Sequence, residues 1–155
     1  MEPRLKYPKV SPEPYNAMIA LDRTIQGCGL ERGLMELVRL RISQINGCAY
    51  CIDMHWKDAR AVGESEQRLY GLDSWRESPY YGDRERAALA WAEAVTMLGE
   101  GHVPDAEFDA AKSHFSEKEL VDLTWLAAAM NTWNRMAIAM RAVAGRYVAR
   151  GAGGS

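Results

Sequence analysis

Apolar residues recur along this chain at the three-and-four spacing of helices, and no stretch of useful length shows strand alternation. Met18, Leu21 and Ile25 form the first stripe. Ahead of it, Ser11-Pro12-Glu13 supplies an N-cap, a proline at the first helical position and an acid in the first turn, so a helix is expected from there to Gly27 or Gly29. Residues 1–10, punctuated by Pro3 and Pro8, read as an extended arm. A second helix is expected from about residue 30 to 45 on Leu34, Leu37, Val38, Arg41 and Ile45. Arg41 interrupts that stripe, and an arginine so placed snorkels or pairs with an acid. Glu36 looks to another side, in line with Leu40 and Ser43. Asn46-Gly47 ends the helix in a tight turn.

A third helix is expected over 48–62 with Gly63 as its stop, and a short one over 65–70 capped by Ser65. The Trp75- and Tyr-containing connection from Gly71 to Gly82 is too aromatic for a floppy linker and is expected to cover a pocket or a neighbouring subunit. From Asp83 a further helix turns Ala87, Ala88, Trp91, Val95 and Leu98 inward, and Pro104-Asp105 opens a short one to about Phe115. Ser116-Glu-Lys-Glu119 is a capping box, and the helix it opens is expected to run over 117–149. Leu120, Val121, Leu126, Met130, Trp133 and Ile138 occupy more than one side of it, which predicts burial by a second subunit as well as by its own domain. The pattern therefore predicts an all-α fold, a compact and oligomeric helical bundle forming a single domain over residues 1–150, with residues 151–155 as a disordered tail.

Composition narrows the function classes. At 155 residues the chain is one domain by size. A net charge of -2 and a pI near 5.9 leave no basic stripe for nucleic acid. No apolar run approaches the roughly 18 residues a membrane span needs, and the first residues carry no apolar signal core, so a cytoplasmic location is expected. Three cysteines are an odd set for a secreted disulfide framework, whereas Cys-X-X-Cys in a reducing compartment reads as redox or metal chemistry. No glycine-rich phosphate loop is present, so no nucleotide and no other cofactor is expected, and Ser-His-Asp catalysis has no supporting signature.

The candidate chemistry lies between Glu36 and His55. Cys48, Cys51 and His55 stand at i, i+3 and i+7 of the third helix, on one face. Two thiols so placed have Cα atoms within about 5 to 6 Å, a separation at which a disulfide can form and open without unfolding anything. The helix start favours thiolate, through its unpaired N–H groups and the positive end of the macrodipole. His55, one turn beyond Cys51, can relay a proton, and Glu36 on the preceding helix can orient the imidazole. Zinc is the sharpest competitor, yet three ligands on two turns of one helix close a tetrahedron poorly, and no metal is expected. Covalent haem attachment needs His directly after the second Cys, where Ile52 stands. Cys28, between two glycines, reads as a packed small hydrophobe, and His102 and His114 as surface residues.

At these positions the chain resembles the AhpD-like alkyl hydroperoxidases of the carboxymuconolactone decarboxylase superfamily. Their pattern of Glu, eleven residues, Cys, two residues, Cys, three residues, His is met by Glu36, Cys48, Cys51 and His55. The likeness extends to the runs Ser43-Gln-Ile-Asn-Gly-Cys-Ala-Tyr-Cys51 and Asn131-Thr-Trp-Asn-Arg-Met-Ala-Ile-Ala-Met140. The resemblance implies an all-helical, self-associating protein (dimer, trimer or hexamer) that reduces a hydroperoxide with electrons from an external dithiol of the dihydrolipoamide or thioredoxin kind. It also implies Cys51 as the residue oxidised to sulfenic acid, Cys48 as the resolving thiol, and Glu36 and His55 as the proton relay. The helix dipole taken alone favours Cys48 as nucleophile, but its contribution at exposed sites is only about 0.3 to 1 kcal/mol, which a base one turn away can outweigh. One departure stands out: the archetypal member has His before its second Cys, and here Tyr50 holds that place. Two alternatives remain open at this point. One is a redox-responsive oligomer or partner-binding protein with little turnover. The other is a decarboxylase like the superfamily's name-giving branch, whose chemistry does not require the thiol pair.

Overall fold

The computed structural model describes residues 2–99 and 101–149. Its helices are α1 (Tyr7–Val10), α2 (Pro12–Gln26), α3 (Arg32–Asn46), α4 (Ala49–Ala61), α5 (Glu66–Tyr70), α6 (Asp83–Thr96), α7 (Asp105–Lys112) and α8 (Glu117–Ala139), with a 3-10 turn at Leu72–Ser74. No strand occurs among the described residues. Helix ends fall where the capping chemistry puts them. Ser65 and Ser116 accept from the third backbone N–H of α5 and α8, and Glu119 returns the bond to the Ser116 N–H at 2.8 Å.

α3 is the central element, packed between α4, α6 and α8. Every residue from Leu34 to Leu40 is buried, so the helix has no solvent side along that stretch. On one flank Leu34, Val38 and Ile42 join Trp91 of α6 and Leu123 and Leu126 of α8. On the other, Leu37 and Leu40 pack with Leu69, Leu72, Trp75 and Leu89. A single apolar stripe had been expected; the burial on all sides is what draws Glu36 and Arg39 inside along with the leucines.

The aromatic connection after α5 is core material, contrary to its expected role as a cover. Trp75 and Tyr81 are both buried. The Trp75 indole donates to Glu93 at 2.8 Å, and the same carboxylate accepts from Arg41 Nε at 2.7 Å and pairs with Arg76. Burial pushes the Glu93 carboxyl up, but these donors outweigh it and hold the group below its ordinary range. Arg41 thus takes the acid partner that its place on an apolar stripe called for.

Several boundaries depart from the pattern. The N-terminal arm contains the short helix α1, and Leu98 lies exposed beyond the end of α6. α8 stops at Ala139 rather than at residue 149: Arg141 takes a φ of 56°, and the Ala142 N–H bonds back to the Ala137 carbonyl at 2.9 Å. The chain then returns over α4. Of the many apolar residues on α8, Leu120, Leu123, Leu126 and Met130 are buried, while Val121, Trp125 and Ile138 stay exposed. The expected tail at 151–155 lies outside the described residues.

The α3–α4 turn positions the chemistry. Gly47 adopts a φ of 69°, and its N–H and that of Cys48 cap the carbonyls of Gln44 and Ser43 at 3.1 and 3.0 Å. The Asn46 amide donates to the side-chain oxygens of Asn131 and Asn134, each at 2.9 Å, and Asn134 donates to Ser43 Oγ at 3.2 Å. The turn is therefore pinned to α8 by buried amides. A Cβ at Gly47 would meet nothing within 4 Å. Gly47→Ala is thus expected to destabilise by about 1 to 2 kcal/mol through the left-handed backbone alone. Urea unfolding measures it, and a midpoint equal to that of the parent protein would show the turn relaxes freely.

Candidate active site

Cys48 is the N-cap of α4 rather than its first helical residue. Its Sγ accepts the Cys51 backbone N–H at 3.3 Å, the bond a serine or aspartate oxygen makes at ordinary caps. The two sulfurs are joined as a disulfide across a Cα separation of 5.3 Å. Both cysteines are buried, yet they are not equivalent. Cys51 borders a cleft of about 520 Å³, and Cys48 does not. Tyr15, Tyr50, Met54, Met130 and Trp133 line the same cleft together with the charged side chains of Asp22, Arg32, Glu36, Arg39 and Asp58, so its walls are mixed aromatic and polar.

One turn along α4, His55 lies 6 % exposed with Nδ1 at 2.8 Å from Glu36 Oε2. The other Glu36 oxygen accepts from Arg39 Nη1 at 2.7 Å. An ionised carboxylate only accepts, so Nδ1 carries the hydrogen and Nε2 the lone pair. Nε2 is buried without a partner, and it is the atom of the ring free to exchange a proton. Burial alone would push the Glu36 carboxyl up; the His55 and Arg39 bonds more than offset this and hold it below its ordinary range.

The sign of that shift makes a prediction. A carboxyl whose folded proton affinity lies below its unfolded value contributes stability above the ordinary glutamate range, and the contribution disappears as pH falls through the depressed folded value. Glu36→Gln is expected to flatten the acid limb of the stability curve below about pH 4.3. Unfolding midpoints recorded across that range test it, and an acid limb unchanged in the variant would assign the loss to other carboxylates.

Asp58, three residues beyond His55, completes the surroundings. One ligand-type atom from each of Glu36, His55 and Asp58 lies within 4.8 Å of the others. Asp58 Oδ1 accepts the Tyr147 phenol at 2.7 Å. Burial pushes the Asp58 carboxyl up, with the Glu36 charge acting in the same direction against the Tyr147 bond. A divalent cation would want such a triad, but both Glu36 oxygens are engaged by His55 and Arg39, and the Arg39 guanidinium adds a fixed positive charge beside them. The arrangement is a buried carboxylate–imidazole pair whose carboxylate charge is already matched by Arg39.

Of the residues singled out from the sequence, Glu36 meets His55, and Cys48 meets Cys51. Tyr50 stands on the cleft wall, its phenol pushed up by burial. Cys28 is a free thiol packed against the core, and His102 and His114 are exposed. Three residues were not anticipated. Arg39 was foreshadowed only by its i, i+3 spacing from Glu36, a pair that usually lies on a solvated face. Asp58 and Tyr147 had no signal, because a helix predicted through residue 149 carries Tyr147 away from α4.

A helical bundle that holds Cys-X-X-Cys at a helix start, above a buried carboxylate–imidazole pair, belongs to the AhpD-like class. The comparison with known families places it more firmly: residues 12–94 match the carboxymuconolactone decarboxylase family, and this chain is a member of it. The protein YdfG of Bacillus subtilis (strain 168), itself uncharacterized, is 39 % identical over 140 residues, which span 90 % of this chain and 95 % of YdfG. A crystal structure of a protein of unknown function from Agrobacterium tumefaciens, described as a candidate antioxidant defence protein AhpD, is similar at 44 % identity and a TM-score of 0.90. It covers 94 % of this chain and 100 % of its own. An uncharacterized peroxidase-related protein from Ralstonia eutropha JMP134, described as an alkylhydroperoxidase AhpD core, shares the fold at a TM-score of 0.80 and 22 % identity, over 90 % of this chain and 74 % of its own. Among the described residues no helix is long and apolar enough to cross a membrane.

Proposed function

We propose that the protein is a thiol peroxidase in which Cys51 attacks a hydroperoxide. The observation that carries this reading is the asymmetry of the pair: of the two sulfur-bearing residues only Cys51 borders the cleft, one turn from an imidazole whose Nε2 is unpartnered. His55 Nε2 takes the thiol proton as Glu36 steadies the imidazolium. The thiolate attacks the terminal oxygen of ROOH; the O–O bond breaks, the alkoxide leaves with the proton returned by His55, and Cys51 becomes a sulfenic acid. The Cys48 thiol then displaces that hydroxyl as water and closes the disulfide. An external dithiol attacks the cleft-side sulfur of Cys51. Cys48 leaves as a thiolate received by the Cys51 N–H and the helix start, and a second thiolate of the reductant releases Cys51.

The balance of charge in the cleft favours an uncharged hydroperoxide over a carboxylated lactone. Glu36 and Arg39 neutralise one another, which leaves Asp22 and Asp58 against Arg32. The decarboxylase reading is weakened on that ground. The exposed Val121, Trp125 and Ile138 on α8 support a self-associating protein. The deciding measurement is peroxide consumption by the purified protein with dihydrolipoamide or thioredoxin as donor. Turnover with stoichiometric disulfide formation in the donor is expected. Disulfide cycling without peroxide turnover, accompanied by a change in molecular size, would replace the peroxidase with a redox-responsive assembly.

A further inference from the structure

The segment that follows α8 is tied down along α4, the helix that carries Cys51 and His55. The Gly145 N–H donates to Asp53 Oδ2 at 3.0 Å, Lys57 Nζ donates to the Tyr147 carbonyl at 3.0 Å, and the Tyr147 phenol donates to Asp58 at 2.7 Å. Asp53 and Lys57 also pair with each other at 2.8 Å, so their charges cancel locally. Asp58 differs. It is a partly buried carboxylate beside a second carboxylate, and among the described residues no cation lies within ion-pair distance of it. Its one side-chain donor is a neutral phenol brought from the far end of the chain. Such a placement opposes ionisation unless something nearby gains from the charge. The imidazole of His55 is that neighbour.

We propose that Asp58 is a positioning residue of the relay and Tyr147 its anchor: the phenol holds the Asp58 carboxylate beside the Glu36–His55 pair, where its negative charge favours the imidazolium that forms when Nε2 takes up a proton. Glu36 acts on the same imidazole through its own hydrogen bond, and the remaining groups around His55 do not duplicate the effect. From α3, Glu36 is balanced by Arg39 at 2.7 Å, and Arg32 sits at the exposed rim of the cleft. From α2, Asp22 accepts the Trp133 indole at 2.9 Å. The remaining walls carry the phenols of Tyr7, Tyr15 and Tyr50. Asp58 is then the carboxylate of the triad to which no guanidinium is hydrogen-bonded, and its charge favours the imidazolium formed when Nε2 accepts the Cys51 proton. The consequence for peroxide rests on the peroxidase reading; the effect on His55 does not.

The test reads His55 directly. The reduced full-length protein, labelled in its histidine side chains, is titrated by NMR, with the exposed His102 and His114 as internal references. Asp58→Asn is expected to lower the His55 midpoint by about one unit, a tenfold weaker hold on its proton, and to leave the two references in place. Asp58→Glu, which keeps the charge, is expected to restore the midpoint. Asp53→Asn removes the charge of another carboxylate that ties down the same segment and is expected to leave the His55 midpoint alone. Tyr147→Phe is expected to raise the midpoint of the Asp58 carboxyl itself, since the donor to its ionised form is lost. A His55 midpoint unmoved in Asp58→Asn, or moved as far by Asp53→Asn, overturns the proposal. A midpoint that moves as expected in a protein that consumes no peroxide upholds it, and only the peroxidase reading falls.

Discussion

Cys51→Ser is expected to lower the rate of peroxide-driven oxidation by at least about a thousandfold, while Cys48→Ser keeps the first chemical step and loses the second. The difference follows from where the sulfurs stand. Cys51 borders the cleft within the first turn of α4, and a serine hydroxyl there has no comparable thiolate to offer. Cys48 faces the helix start, holding the Cys51 N–H. With Cys48 removed, one equivalent of hydroperoxide is expected to leave a sulfenic acid on Cys51 that no neighbour resolves. Dimedone trapping and mass spectrometry locate it. Because both variants are compared with the reduced protein, loss of the disulfide itself does not separate them, and circular dichroism checks that each keeps its helices. Sulfenate found on Cys48 in the Cys51→Ser protein would reverse the assignment of attacking and resolving thiols.

Glu36→Gln is expected to act twice. The neutral amide no longer fixes His55 as the Nδ1–H tautomer or stabilises its imidazolium, so the rate is expected to fall by about 10² to 10⁴. The same change strips a buried guanidinium of its partner: Arg39 is 5 % exposed and already has one nitrogen unpaired. Breaking a buried ion pair from one side costs about 3 to 5 kcal/mol. A second variant separates the two effects. Glu36→Gln with Arg39→Met leaves no stranded charge, and is expected to recover most of the stability and none of the rate. Unfolding in urea followed by tryptophan fluorescence reads the first, and single-turnover oxidation by peroxide the second. Recovery of both together would make Glu36 a structural residue only.

What could be read directly from the residues was local. Gly27, Gly47 and Ser65 mark helix ends because left-handed or capping conformations are decided by a residue and its nearest neighbours. The spacing of Glu36, Cys48, Cys51 and His55 was legible for a related reason. A helix, a tight turn and a second helix form one short-range unit, and periodicity suffices to say which residues share a face. The thiol pair is closed by geometry within a single turn, so its 5.3 Å separation follows from spacing alone.

The tertiary structure decided what spacing cannot carry. That α3 is enclosed on every side turned Glu36–Arg39 from a surface pair of small consequence into a buried one, and the enclosure depends on α6 and α8 arriving from elsewhere in the chain. Which cysteine meets the cleft depends on walls contributed by α2 and α8. The early end of α8 depends on one non-glycine residue, Arg141, taking a positive φ, which a helical pattern does not announce. From that turn the last described residues come back to α4, and Tyr147 reaches Asp58. Local sequence set the order of Glu36, Cys48, Cys51 and His55; the charge states of such groups depend on burial and on distant partners, because the energy of a charge is determined by everything packed around it.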